Sequence, residues 1–278
     1  MTGILNGKVA FVTGGSKGIG KAICIGLAEA GASVALTGRK AGTGPGTAHE
    51  TAASVEAAGG KALALVCDVR DPDSVKAAID TAAATFGRLD ILMNNAGLFF
   101  PGSDVIDIDI GQWHETIETH INGTFYAVRF AAPYMIAGGG GSIINMSSTG
   151  GDPSHDTTGN VAYGVAKAGI EQFSRGLARE LAFANIAVNA IRPMALLSEG
   201  AINSADWMGK YRAKTGGRAV QDNITDEERL KKFAPTSAIV PAIVHLAQQR
   251  GEFTGNIVRR TDFADGGFQS VVMSSQDA

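Results

Sequence analysis

The chain has only two cysteines, Cys24 and Cys67, in 278 residues. No disulfide framework can be built from them, and reduced thiols in the core of a cytoplasmic protein are expected. No apolar run is long enough to cross a membrane, and Lys8 and a strand-like run follow the N-terminus too soon for a signal-like apolar segment. A net charge of −3 provides no basic footprint for nucleic acid. Nor do the 5 histidines show ligand spacing: His155 lies in a loop, His114 and His120 on a helical stretch, and no metal site is expected. There is no internal repeat. What remains is a chain that is 45% hydrophobic and holds 37 glycines, suited to one domain over residues 1–278 with a substantial core.

Strand-like and helix-like patterns alternate along the chain, the signature of an α/β fold with a parallel sheet and helices on both faces. Val9-Ala-Phe-Val-Thr13 reads as a buried strand, Gly14-Gly-Ser-Lys-Gly18-Ile-Gly20 as a turn, and Lys21 to Ala30 as a helix closed by Gly31. A glycine-rich turn between strand and helix is an anion site. Small residues admit a pyrophosphate to the backbone, and the helix N-terminus supplies N–H groups and a dipole. The spacing here is Gly-x-x-x-Gly-x-Gly, not Gly-x-Gly-x-x-Gly. Further strands are expected at 33–37, 62–67, 90–93, 142–146, 186–191 and 256–263, and one continuous helix over 110–135. Asn122, a poor helix former, falls inside that helix.

Near the middle of the chain an apolar run leads to Ser147-Ser148, and Tyr163-Gly-Val-Ala-Lys167 opens another helix. Residues four apart share a helical face, so the Lys167 ammonium can sit beside the Tyr163 phenol. Such a cation lowers the phenol pKa toward neutrality, where acid/base catalysis is most efficient.

In register, Gly14-x-x-x-Gly18-x-Gly20, Asn94-Asn-Ala-Gly97, Asn122, Ser148, Tyr163 and Lys167 resemble the classical short-chain dehydrogenase/reductase family, from about Lys8 to Gly267. The resemblance implies a Rossmann-type doubly wound parallel sheet and an NAD(P)-dependent oxidoreductase that interconverts a secondary alcohol and a ketone. Its catalytic set falls on Asn122, Ser148, Tyr163 and Lys167. Tyr163 is then the proton donor and Ser148 orients the carbonyl, with Ser147 as the alternative. Lys167 also holds the nicotinamide ribose, and Asn122 bends its helix and holds a water that links Lys167 to solvent. The cofactor set falls on Gly14, Ser16, Lys17, Gly18, Ile19 and Gly20, then Arg39, Asp68 and Val69, then Asn95, Ala96 and Gly97, and finally Tyr163, Lys167, Pro193, Leu196 and Ser198. Within the family, basic residues at the positions of Lys17 and Arg39 go with NADP(H), and Gly38 stands where an acid would grip the ribose of NAD(H). NADP(H) is therefore expected, with NAD(H) left open. Three features depart from the family pattern: Met194 in place of a glycine after Arg192-Pro193, the glycine-rich insertion at 40–50, and the long closing strand.

Residues 195–235 are irregular, with helical patterns at 206–214 and 225–233, and are expected to form a lid over the substrate. Leu98, Phe99, Phe100, Met194, Leu196, Leu197, Trp207 and Met208 supply an apolar cleft wall. That wall predicts a bulky apolar ketone or alcohol, steroid-like, terpenoid, aromatic or cyclic, with a 3-oxoacyl thioester as the alternative. The helices carrying Asn122 and Tyr163 are rich in Ala127, Ala131, Ala132, Ala166, Ala168 and Ala178, more than one buried face needs, and with the family habit this predicts a homotetramer. An epimerase using the same Tyr/Lys pair needs a longer chain. A non-catalytic nucleotide sensor has no reason to keep all four catalytic residue types.

Overall fold

The structure is a computed structural model that describes residues 3–100, 103–198, 202 and 231–266. Its strands are β1 (Val9–Val12), β2 (Ser33–Gly38), β3 (Lys61–Val66), β4 (Ile91–Asn94), β5 (Gly141–Met146), β6 (Ile186–Arg192), β7 (Leu196–Leu197), β8 (Ala234–Pro235) and β9 (Ile257–Arg259). Seven of them form one parallel sheet in the order β3-β2-β1-β4-β5-β6-β9, and β7 pairs with β8 separately. The connections carry helices α1 (Gly18–Glu29), α2 (Ala48–Ala57), α3 (Pro72–Phe86), α4 (Ile110–Ile117), α5 (Gly123–Ala137), α6 (Val161–Glu180) and α7 (Val240–Ala247). The strand order reverses between β1 and β4, and at such a switch point the carboxyl ends of the strands open a crevice for ligand.

Alternate residues of each central strand feed two cores, as the period of a pleated strand requires. Ala10 and Val12 pack with Ile23, Leu27, Val55 and Ile243 on the side of α1, α2 and α7, while Val9 and Phe11 pack with Ile79, Ala127 and Met135 on the side of α3 and α5. Local chemistry sets the ends. Asp71 accepts the Asp73 N–H, Pro72 occupies the first turn of α3, and Gly87 closes that helix at φ 76°. Both cysteines are buried and unpaired. Among the described residues, no helix is long and apolar enough to cross a membrane.

The structure corrects several boundaries. The helix expected over 110–135 is interrupted by a π-helical turn, Glu118–Asn122, which changes the faces its residues present. The closing strand is short: the Asp262 carboxylate accepts the Arg259 N–H at 2.7 Å, and Arg260–Gly266 turns into a 3₁₀ helix. Arg260 then reaches across to donate from Nε to the Pro193 carbonyl at 3.1 Å. The insertion begins as an exposed loop and ends in the first turn of α2, where Glu50 accepts from the Gly46 N–H at 2.7 Å and from Lys21 Nζ at 2.8 Å. Of the six alanines, Ala127, Ala131, Ala132, Ala166 and Ala178 are buried in the chain's own core, so they are not a surplus. On α5 and α6 the exposed large apolar side chains include Phe125 and Val165, 47% and 48% exposed, with Tyr134 and Ile136 nearer the end of α5. Trp207, Met208, the helical pattern at 206–214 and most of that at 225–233 lie outside the described residues.

Candidate active site

The glycine-rich turn between β1 and α1 is closed against β4. A Cβ on Gly14 would stand 2.8 Å from the Ala96 Cα, and one on Gly20 would stand 2.1 Å from the Gly14 carbonyl oxygen. Gly18 has open space beside it and is required instead by its φ of +55°. Thr13 Oγ1 accepts the Asn95 and Ala96 N–H groups, both at 3.0 Å, and Asn95 Nδ2 donates to the carbonyls of Thr13 and Gly14 at 3.1 and 2.9 Å. These bonds staple both sides of the crevice together. No side chain caps the start of α1, which leaves its first-turn N–H groups, those of Gly18, Ile19 and Gly20, available to an anion. A backbone cradle that no Cβ could enter, beside uncapped amides, fits the pyrophosphate of a dinucleotide.

At the adenosine end, a Cβ on Gly38 would meet the Ser16 Cβ at 2.9 Å. Arg39 is largely exposed, with its guanidinium 3.8 Å from Glu115. Arg70 grips the Asp68 carboxylate through Nε and Nη2 and reaches Glu115 at 2.7 Å. The Arg70 guanidinium beside Asp68 holds that carboxyl below the usual carboxylate range. Val69 is buried, and a Cβ on Gly123 would fall 2.9 Å from its Cγ2.

The candidate catalytic residues gather where β5 meets α6. Asn94 Nδ2 donates to Asn145 Oδ1 at 2.8 Å, and Asn145 Nδ2 to Ser174 Oγ at 2.9 Å, so a buried polar chain fixes α6 to the two central strands. Ser147 is turned away from the cleft: its hydroxyl donates to Glu171 Oε1 at 2.7 Å, and Glu171 in turn holds Arg192 through two contacts of 2.7 and 2.8 Å. Arg192 also contacts Asp152 on the loop after Ser148. Ser148 starts the 3₁₀ turn Thr149–Gly151, accepts the Gly150 N–H at 3.2 Å and lies close enough to the Tyr163 phenol to favour its charged form. Between the two serines left open by the sequence, the structure thus brings Ser148 to the tyrosine. Phe99 packs edge-on against the Tyr163 ring at 5.3 Å.

Lys167 lies 5.4 Å from the centre of the Tyr163 ring and donates from Nζ to the Met146 carbonyl at 2.8 Å. Burial lowers the Lys167 ammonium to about 7. Burial also raises the Tyr163 phenol above its ordinary value, with Ser148 opposing it. The expectation that the cation lowers the phenol is overturned: desolvation disfavours both charged forms, and the phenol is raised. A testable consequence follows for stability. Because the folded-state value of Lys167 is depressed from 10.5 to about 7, the unfolded chain holds a proton between those values that the folded chain lacks. Stability should therefore rise with pH across that window, by at most about 1.4 kcal/mol per pH unit from this group. In Lys167→Met the gain in thermal midpoint from pH 7 to pH 9 should be smaller than in the parent, and an equal gain in both proteins would refute the assignment.

Asn122 closes the π-helical turn and makes no side-chain cap to α5. The residue of that turn lying against Tyr163 is His120, whose ring stands 5.5 Å from the phenol ring at 85°. The sequence reading placed His120 on a helix and gave it no role. The signal that marks it is structural, since a π turn decides which side chain faces inward. Pro193 accepts from Arg260, and Met194 adopts φ 57°, the left-handed conformation that a glycine would take without strain. The backbone path is thus one a glycine would share, at a strain cost on the order of 1 kcal/mol. Leu196 is buried and Leu197 is 45% exposed. Ser198 ends the described stretch.

A cleft lies beside Tyr163. Leu98, Phe100, Ile108 and Ala162 form its apolar wall, and Ser103, Gln112, Thr116 and Asn160 add polar groups. Toward solvent it continues into a more polar mouth with Asp104, His155, Asp156 and Thr158.

The chain matches the short chain dehydrogenase family over residues 8–209. Cis-4-hydroxycyclohexanecarboxylate dehydrogenase of Sinomonas cyclohexanicum is 38% identical over 186 residues, 67% of this chain and 72% of that protein. D-threitol dehydrogenase of Mycolicibacterium smegmatis is 36% identical over 197 residues, 70% of this chain and 72% of that one. A solved short-chain type dehydrogenase/reductase from Mycobacterium marinum superposes with a TM-score of 0.78 at 28% identity, covering 95% of this chain and 96% of that chain. The fold and the site define a nicotinamide-dependent oxidoreductase. The chain belongs to the classical short-chain dehydrogenase/reductase family and acts, as an NAD(P)-dependent enzyme, on alcohols and ketones.

Proposed function

We propose that the protein interconverts a largely apolar secondary alcohol, cyclic in the first instance, and its ketone using NADP(H). The observation that carries this reading is the Tyr163 phenol, set beside Ser148 at the wall of a cleft lined by Leu98, Phe100 and Ile108. The bound nicotinamide supplies hydride to the carbonyl carbon in reduction. Tyr163 gives its proton to the carbonyl oxygen, and Ser148 orients that oxygen against the phenol. Lys167, in its charged form, favours the phenolate left behind, which regains its proton from solvent through the site. In oxidation the same groups run in reverse, with Tyr163 taking the alcohol proton.

NADP(H) is supported by Lys17 and Arg39 and by the crowding of Gly38 against Ser16, which leaves no room for the acidic side chain that grips an unphosphorylated ribose. The substrate class is supported by the apolar wall at Tyr163 and by the likeness to an enzyme of a substituted cyclohexane. The test is kcat/KM over cyclic ketones, polyols and 3-oxoacyl thioesters. A cyclic ketone should lead by about tenfold, because each polyol hydroxyl left unpaired costs roughly 1–3 kcal/mol. Preference for a polyol, the class named for the D-threitol relative, would overturn the substrate reading. We further assign a homotetramer, with the half-exposed Phe125 and Val165 of α5 and α6 covered by a second copy. Light scattering at micromolar concentration should give the mass of four chains; a monomer would contradict this.

A further inference from the structure

The proposed chemistry leaves one buried titratable side chain beside the phenol without a task. His120 is 1% exposed, and its Nε2 lies 2.9 Å from the Leu98 carbonyl oxygen and 3.3 Å from the Leu98 nitrogen. A neutral imidazole nitrogen is either donor or acceptor, and the shorter contact, to a carbonyl, assigns the hydrogen to Nε2. Nδ1 then carries a bare lone pair, and this atom is buried with no hydrogen-bond partner. Gly97 makes room for that edge of the ring, since a Cβ there would stand 2.7 Å from Cε1 and 3.4 Å from Nδ1. The ring therefore bridges two parts of the site: the turn Asn95–Leu98, stapled to the glycine-rich loop through Asn95, and the face of Tyr163.

We propose that His120 is a positioning residue for the oxidoreductase reaction, acting as a neutral imidazole that holds Leu98 through Nε2–H and braces the Tyr163 ring so that the phenol stays beside Ser148. The inference rests on the assignment of Tyr163 as proton donor. It makes His120 a brace and not a proton carrier. Burial, reinforced by Lys167, pushes the imidazolium down to about 3, and a proton on Nδ1 would be a buried donor with nothing to receive it. Among the described residues the ionisable groups that face the phenol are Lys167 from α6 and His120 from the π turn, while Ser148 and Phe99 are neutral.

Two variants separate the brace from mere bulk. His120→Phe keeps a ring edge against Tyr163 but removes the bond to Leu98. His120→Asn offers Nδ2–H to the Leu98 carbonyl that Nε2–H now serves, and Oδ1 to the Leu98 N–H beside it. Two readouts apply: kcat for ketone reduction, and the titration midpoint of the Tyr163 phenol by ultraviolet difference spectroscopy, each protein measured against its own Tyr163→Phe counterpart. In His120→Phe, kcat should fall by about tenfold or more with NADPH affinity held within about threefold, an effect of the size expected when a proton donor is displaced. The phenol midpoint should rise as the phenol moves away from Ser148, which holds it down. In His120→Asn both should return toward the parent. A parent-like kcat and midpoint in His120→Phe, or an equal loss in His120→Asn, would overturn the inference. A parent inactive on every ketone would instead count against the function proposed above, and the phenol titration still decides the role of His120.

Discussion

Tyr163→Phe is expected to lower kcat by at least about a hundredfold, the usual size of a general acid/base contribution, while NADPH affinity stays within about twofold. The substitution removes one oxygen and little else. The aromatic ring that packs against Phe99 at 5.3 Å and His120 at 5.5 Å is retained, so the wall of the cleft should survive. What disappears is the phenol oxygen beside Ser148, the proposed proton donor. Steady-state kinetics with a cyclic ketone, together with fluorescence titration of NADPH, separate the two effects. Activity within a few-fold of the parent would show that another group protonates the substrate, whereas loss of NADPH binding would make Tyr163 a structural residue.

Replacing Arg39 with glutamine is expected to weaken NADPH more than tenfold and to leave NADH nearly unchanged. A charge-assisted hydrogen bond to a phosphate contributes about 2 kcal/mol, which is more than a factor of ten in affinity. The Arg39 guanidinium is 61% exposed and lies 3.8 Å from Glu115, close enough to be drawn toward that carboxylate but not committed to it. Arg70 already occupies Glu115 at 2.7 Å and Asp68 at 2.6 Å, so Arg39 is the less committed cation of the two. Dissociation constants for both dinucleotides on both proteins are the measurement. Equal losses for NADPH and NADH, or a parent that binds NADH more tightly, would contradict the phosphate reading.

Much of the architecture was legible because each strand of a parallel sheet is a short apolar run followed by small residues. Val9 to Thr13 and the glycines after it announce both the strand and the crevice, and the structure places Gly14 in the turn after β1 and Gly18 and Gly20 in the first turn of α1. The pair Tyr163 and Lys167 was legible from helical spacing alone. Asn122 was harder: a helical period read through 110–135 assumes uniform winding, and the π-helical turn at Glu118–Asn122 breaks it. Once the turn is present, His120 faces the phenol, a consequence invisible to any fixed period. The closing strand misled for a related reason, because Asp262 folds back onto the Arg259 N–H and ends the ladder through one local hydrogen bond. The alanines of α5 and α6 misled in the opposite direction. Small residues there let helices approach the sheet closely, and composition does not say which side they face.

Tyr163, beside Ser148 and backed by Lys167, is expected to protonate a carbonyl held in the adjoining cleft. The most direct measurement is the rate at which nicotinamide absorbance decays when the parent, Tyr163→Phe and Ser148→Ala are each mixed with NADPH and a cyclic ketone under single-turnover conditions. The account predicts decay in the parent, a rate at least about a hundredfold lower in Tyr163→Phe, and a smaller but clear loss in Ser148→Ala. Equal decay in all three proteins, with NADPH bound in each, would contradict it.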